Sequence, residues 1–160
     1  MTVSPEGAEV YRLPAMTGEQ VEQLLAAQKI CRMAFNDDPH PYIIALDYIY
    51  MDGRLYFHFA DYGRKMYLID NHPDVSVEID NFMEGANHFD TITLMGRLQK
   101  ITDKAEKDRC IKALIDSVKA RGGEKNVAAR HGLGALDPEA FSPTFYRLDV
   151  QDYVALRSPG

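Results

Sequence analysis

The residues best suited to chemistry lie close together between positions 56 and 65. Tyr56-Phe57-His58-Phe59-Ala60 has the aromatic content of a β-strand. Asp61-Tyr62-Gly63-Arg64-Lys65 reads as its turn into a helix. A helix start presents backbone N–H groups that have no partner within the helix, and these favour an anion. Arg64 and Lys65 add two positive charges there, and a guanidinium can chelate two phosphate oxygens. Alternate residues of a strand share a face, so His58 and Ala60 lie together and His58 can reach the same anion. Charge alone also admits a solvated basic turn, because most Lys and Arg side chains are simply exposed.

Other signatures are missing. The 160 residues contain no P-loop, no GxGxxG after a strand, no HExxH and no GxSxG. Gly132-Leu133-Gly134 is too short for a nucleotide loop. The five histidines are scattered without paired ligand spacing, so no metal is expected. Cys31 and Cys110 form neither a CxxC nor a zinc spacing, and they read as reduced, buried thiols of a cytoplasmic protein. Net charge is −6, which argues against a nucleic-acid partner, since that needs a basic footprint. The first residues carry no basic start followed by an apolar stretch, so no signal peptide is expected. No run of about 18 apolar residues is present, so no membrane span is expected.

The elements that position the cluster follow from periodicity. Residues 1–16 read as an irregular arm. Thr17 to Gln20 resembles a capping box, and Val21, Leu24 and Leu25 continue it as a short helix to about Gln28. Ile30–Phe35 is an expected strand. Asn36 to Pro41 is dense in turn formers. Tyr42 to Tyr50 reads as one Ile- and Tyr-rich strand, Asp52-Gly53 as a hairpin turn and Leu55 to Ala60 as the returning strand. A short helix from Arg64 to about Asn71 is stopped by Pro73.

Val75, Val77 and Ile79 alternate with polar residues as a half-buried strand, and 81–88 reads as a polar loop. Thr91 to Ile101 alternates again, with Gly96 inside it suggesting a bulge or a close backbone approach. A second long helix starts near Asp103, with Glu106 completing a capping box, and ends at Arg121-Gly122-Gly123. Residues 122–143 are loop-like, and Phe145 to Leu156 closes as a strand. Six hairpin-linked strands with two or three helices do not fit an alternating parallel sheet. They fit a single mainly β domain, a Greek-key or split antiparallel barrel with helices packed outside.

The stretch PYIIALDYIYMDGRLYFHFADYGRKMYLIDNHPDVSVEID resembles the flavin-binding segment of the pyridoxamine-phosphate-oxidase-like split-barrel superfamily. It is most similar to the nitroimidazole-resistance-type branch. The pattern is a Pro-Tyr strand, a hairpin, Leu-Tyr-Phe-His, a Gly-Arg-Lys turn and Asn-x-Pro-x-Val, all in order. FDTITLMGRLQKITDKAEKD resembles the next segment. The resemblance covers about residues 15–156. It implies a split-barrel homodimer with FMN at the interface. Carried over by position, Ile43, Ile44, Ala45, Leu46 and Asp47 would run beside the flavin ring. His58, Arg64 and Lys65 would hold the phosphate, Ala60 and Gly63 would belong to the same cofactor site, and Thr91 would lie near the ring.

Three departures matter. Ala45 stands where many relatives have Pro. Tyr42 stands where the full oxidase has an Arg. The C-terminal segment lacks the motif that would hold pyridoxal phosphate, which argues against a true pyridoxamine-phosphate oxidase.

A flavin carries its own redox chemistry, so no catalytic acid or base is required of the protein. The aromatics Tyr42, Tyr48, Tyr50, Tyr56, Phe57 and Phe59 could line the ring or simply pack the core. His88, beside Phe89, could approach the ring. Four functions stay open on the sequence. The first is an oxidoreductase that passes electrons from a nicotinamide or other donor to a small electron-poor substrate. The second is a flavin carrier or sensor without its own substrate. The third is the same barrel with a deazaflavin or haem, and the fourth is a dimeric scaffold.

Overall fold

In the computed structural model, residues 13–83, 85, 87–120 and 144–159 are described. The sequence features at 1–12, the end of the second long helix, the 122–143 loop and Gly132-Leu133-Gly134 lie outside them. The elements run α1 (Gly18–Ala27), β1 (Ile30–Phe35), β2 (Tyr42–Asp47), β3 (Ile49–Met51), β4 (Arg54–Phe59), α2 (Arg64–Asn71), β5 (Asp74–Phe82), β6 (Phe89–Lys100), α3 (Lys104–Ala120) and β7 (Thr144–Arg157). All seven strands form one antiparallel sheet in the order β2-β1-β5-β6-β7-β4-β3, curled into a half-barrel.

The expected capping box opens α1. Thr17 Oγ1 accepts from the Gln20 N–H at 3.3 Å, and Gln20 Oε1 accepts from the Thr17 N–H at 3.0 Å. The stretch 42–50 is two strands rather than one, giving seven in all. Tyr48 is the cause. Its N–H donates to the Lys29 carbonyl at 3.1 Å and its buried hydroxyl donates to the Leu25 carbonyl at 2.7 Å. These bonds turn Tyr48 toward the end of α1 and divide β2 from β3. The Asp52-Gly53 hairpin forms as expected, with φ of 53° and 71° at its two central residues, as a primed turn requires. Ala60 lies just past the end of β4, β5 runs into the expected 81–88 loop as far as Phe82, and β6 starts at Phe89, two residues before the expected Thr91. Of the expected arm, residues 14–16 pair with the end of β7 through an Ala15–Leu156 bridge.

Period-two alternation sends one face of β1, β5 and β6 into the core. Met33, Val77, Ile79 and Ile92 are fully buried there. Each such burial contributes about 1.5–3 kcal/mol. A second cluster, made of Tyr56, Ile101, Cys110 and Phe145, packs under α3 with Ile111 and Leu114.

The helix-start expectation at Asp103 holds by half. Asp103 Oδ2 accepts from the Glu106 N–H at 2.8 Å. The Glu106 carboxylate does not return to the cap. It accepts from the Tyr56 hydroxyl at 3.0 Å and from Arg147 Nη1 at 3.1 Å, tying α3 to β4 and β7. Arg147 is also held by Asp149 at 2.7 Å. Glu106→Ala leaves the buried Tyr56 phenol without its acceptor and leaves the half-buried Arg147 guanidinium with Asp149 alone. It should lower unfolding free energy by about 1–3 kcal/mol in a denaturant titration, and Glu106→Gln should recover part of that.

Candidate functional site

Gly63 opens α2 with φ of 93°, a backbone state that glycine enters without a Cβ penalty. Its carbonyl accepts from the Met66 N–H at 3.1 Å, so the helix begins there. Among the described residues no side chain caps this start, and the first-turn N–H groups, which have no partner within a helix, lie beside Arg64 and Lys65.

Arg64 reaches across to the turn after β1. Its Nε donates to Asp37 Oδ2 at 2.8 Å, and Nη2 donates to the same oxygen. The guanidinium carbon sits 5.1 Å from the centre of the Tyr42 ring. Arg64 therefore fixes the anion-favouring helix start against the first residue of β2. Lys65 Nζ lies 5.8 Å from the centre of the Phe59 ring. His58 is half-buried with its ring 6.2 Å from that of Phe145, and Ala60 is exposed.

The Arg64 hydrogen bonds hold the Asp37 carboxyl below its ordinary value of 3.8. The sign follows: this contact is intact above the ordinary value and is lost as pH falls through the depressed one. NMR titration should place the Asp37 midpoint below 3.8 and return it toward that value in Arg64→Ala.

β2 is an end strand of the sheet, paired with β1 alone among the described residues. One edge of its backbone has no strand partner among the described residues. Ile44 and Leu46 pack against the core, while Ile43 and Ala45 face outward and Asp47 is half-buried. Ala45, Arg32, Glu78 and Thr93 lie in one row across β2, β1, β5 and β6.

On that outer face Arg32 Nη1 donates to Glu78 at 3.0 Å and to Asp80 at 2.5 Å. Thr91 Oγ1 donates to Glu78 Oε1 at 3.4 Å. Partial burial raises the Glu78 carboxyl above its ordinary value, with Arg32 opposing the shift. The polar network of Thr91 therefore spans β6, β5 and β1, and reaches β2 only in that Arg32 lies in register with Ala45.

Among the aromatics, Tyr48, Tyr56, Phe57 and Phe59 are buried packing residues, whereas Tyr42 and Tyr50 are half-buried. Both thiols are free and buried, and burial pushes Cys31 up to about 12 and Cys110 up to about 11, which makes poor nucleophiles of them. Among the described residues, no group of three or more His, Cys, Asp or Glu is placed to hold a metal, and no helix is long and apolar enough to cross a membrane.

Sequence reasoning missed Asp37 as the partner of Arg64, the Arg32–Glu78–Asp80 group, and an Asp90–Arg157 ion pair. Glu78 stood in plain alternation on a polar strand face. Strand pairing sets the partners of the last two groups, and the docking of α2 against the turn after β1 sets the first; local pattern gives neither.

Comparison with known proteins follows this geometry. Residues 17–153 match the family described as pyridoxamine 5'-phosphate oxidase. An uncharacterised protein of Rhizobium meliloti is 29% identical over 86 residues, which are 54% of this chain and 56% of that protein. The matched stretch thus spans about half the length of that relative. A FAD-binding protein from Mesorhizobium loti superposes with a TM-score of 0.67 at 21% identity, covering 93% of this chain and 98% of the other. A candidate 5-nitroimidazole antibiotic resistance protein from Bacteroides thetaiotaomicron superposes with a TM-score of 0.60 at 12% identity, covering 98% and 100%. These similarities show a shared split-barrel fold.

Proposed function

The chain belongs to the pyridoxamine 5'-phosphate oxidase family, and from that premise we propose that it is a flavoprotein that holds FMN and works as an oxidoreductase on a small electron-poor substrate. One observation carries the reading. The uncapped, Gly63-opened start of α2, with Arg64 and Lys65 beside it, is docked on Tyr42 at the beginning of the free-edged strand β2. A phosphate at the helix start and a ring along Ile43–Asp47 suit the donor chemistry of those two elements. Bound flavin supplies electron and hydride transfer. The protein's own part is to bind the phosphate through Lys65, Arg64 and backbone N–H groups, and to orient the ring through the β2 edge. Thr91 and the Arg32–Glu78–Asp80 group set the charge of the nearby sheet face.

The working unit in this reading is a homodimer. Ile30, Ile43 and Val154 are 50%, 62% and 50% exposed on the outer face of the sheet, a surface suited to burial against a second copy. Free thiols suit a reducing, cytoplasmic setting.

A visible absorption spectrum of the purified protein tests the cofactor, with mass measurement of whatever heat releases. FMN is the expected mass. The Mesorhizobium loti relative is named as binding FAD, and release of that dinucleotide would correct the reading to FAD. A colourless protein that does not bind added flavin would end it. Light scattering should report a dimer at micromolar concentration.

A further inference from the structure

Strand β2 offers a flat ligand two approaches. Ile44 and Leu46 pack against the core, so the inner face is filled. The open approaches are the backbone edge and the outer face, where Ile43 is 62% exposed and Ala45 is exposed as well. Ala45 is the smallest side chain of β2, and its methyl group screens little of what stands beside it on β1.

Beside it stands Arg32. The register pairs Ala45 with Arg32, Arg32 with Glu78 and Glu78 with Thr93. Neighbouring strands lie about 5 Å apart, so the Arg32 backbone is about 5 Å from that of Ala45, and the Glu78 backbone about 10 Å. Residues two apart on a strand share a face, which adds Asp80 next to Glu78 and Asp47 next to Ala45. One cation therefore stands among three carboxylates, and it is directly opposite Ala45.

The guanidinium is tethered. Its Nη1 donates to Glu78 at 3.0 Å and also to Asp80, and Thr91 Oγ1 donates to Glu78 from β6. Both tethers use the same nitrogen, and the Arg32 side chain is still 55% exposed. Its charge is thus fixed in position while facing outward. Reduction adds electrons to a flavin ring. A cation near the ring favours the reduced form, a carboxylate favours the oxidised form, and such charges are a means by which a protein tunes the cofactor.

We infer that Arg32, tethered by Glu78 and Asp80, tunes the reduction potential of the flavin from the outer face of the sheet. Its charge raises the potential, and Glu78 holds that effect down. This role rests on the flavin reading, with the ring along Ile43–Asp47. Arg32 acts here through its charge and needs no bond to the ring.

The midpoint potential of FMN bound to the full chain, read from the visible spectrum against a reference dye, tests the role. Arg32→Gln should shift the ratio of reduced to oxidised flavin at least tenfold toward oxidised, about 30 mV for a two-electron couple. Glu78→Gln should raise the potential, because the cation then faces one carboxylate fewer. Arg32→Lys keeps the charge and should stay close to the wild type. A wild-type protein that binds no FMN would overturn the flavin reading and this role with it. Bound FMN with one potential shared by the wild type and Arg32→Gln would overturn the role of Arg32 and leave the flavin reading standing. Shifts of the same sign in Arg32→Gln and Glu78→Gln would mark a disturbed sheet face instead of a charge effect, and would overturn the role too. So would an Arg32→Lys potential as low as that of Arg32→Gln.

Discussion

Replacing Gly96 with alanine should cost the fold about 3 kcal/mol or more, a large share of the 5–15 kcal/mol that holds a typical domain together. An ideal Cβ at this position would stand 2.3 Å from the Asp149 carbonyl oxygen and 3.0 Å from both the Asp149 carbonyl carbon and the Val150 Cα. These neighbours are backbone, so no side-chain rotation relieves them. The contact exists because the β6–β7 register shifts between Met95 and Gly96. Met95 is opposite Asp152 and Gly96 is opposite Val150, which leaves Gln151 as the extra residue of a bulge. Forcing the strands apart there disturbs the most extensively paired strands of the sheet. Gly18→Ala is the matched control, since nothing lies within 4 Å of its Cβ. Chemical denaturation should separate the two variants clearly. Equal stability would mean that β6 and β7 do not approach at this bulge.

Gly96 also shows what local pattern can and cannot reveal. A lone glycine in an alternating strand announced a bulge or a close approach, and both are present. The identity of the backbone it meets, Asp149, depends on a partner strand more than fifty residues away. The same division holds at the candidate site. Gly63-Arg64-Lys65 was legible as a helix start suited to an anion, because its signal is contiguous. That Arg64 would spend two of its donors on Asp37 was not legible, since Asp37 read only as a turn former.

Tyr48 misled for a related reason. Its residue type favours a strand, and its neighbours extend one. Two hydrogen bonds to the carbonyls of Leu25 and Lys29 outweigh that preference and bend the chain. Glu106 fitted a capping box by spacing, yet its carboxylate serves Arg147 and Tyr56 instead, because a cationic partner offers the stronger bond. In each case the element was readable, and the long-range partner that decided its detail was not.

Lys65→Ala should weaken FMN binding by about 1–3 kcal/mol, or between about 5-fold and 150-fold. Arg64→Ala should fall in the same range, for a partly different reason. Lys65 offers a mobile point charge, whereas Arg64 is oriented by Asp37 and stacked over Tyr42. Removing Arg64 therefore loses a donor and loosens the docking of the helix start on β2. Asp37→Asn separates these roles. It removes a negative charge next to the phosphate position while keeping an oxygen for Arg64, so FMN should bind as tightly or more tightly. Added salt should weaken the wild type more than Lys65→Ala, because screening acts on the charge that the variant lacks. Riboflavin is the decisive comparison. It has the ring but no phosphate, so its affinity should barely respond to Lys65→Ala. A variant pair that weakened riboflavin and FMN equally would place these side chains against the ring. A pair that left both affinities unchanged would mean that the basic turn is only solvated, and that any phosphate is held elsewhere.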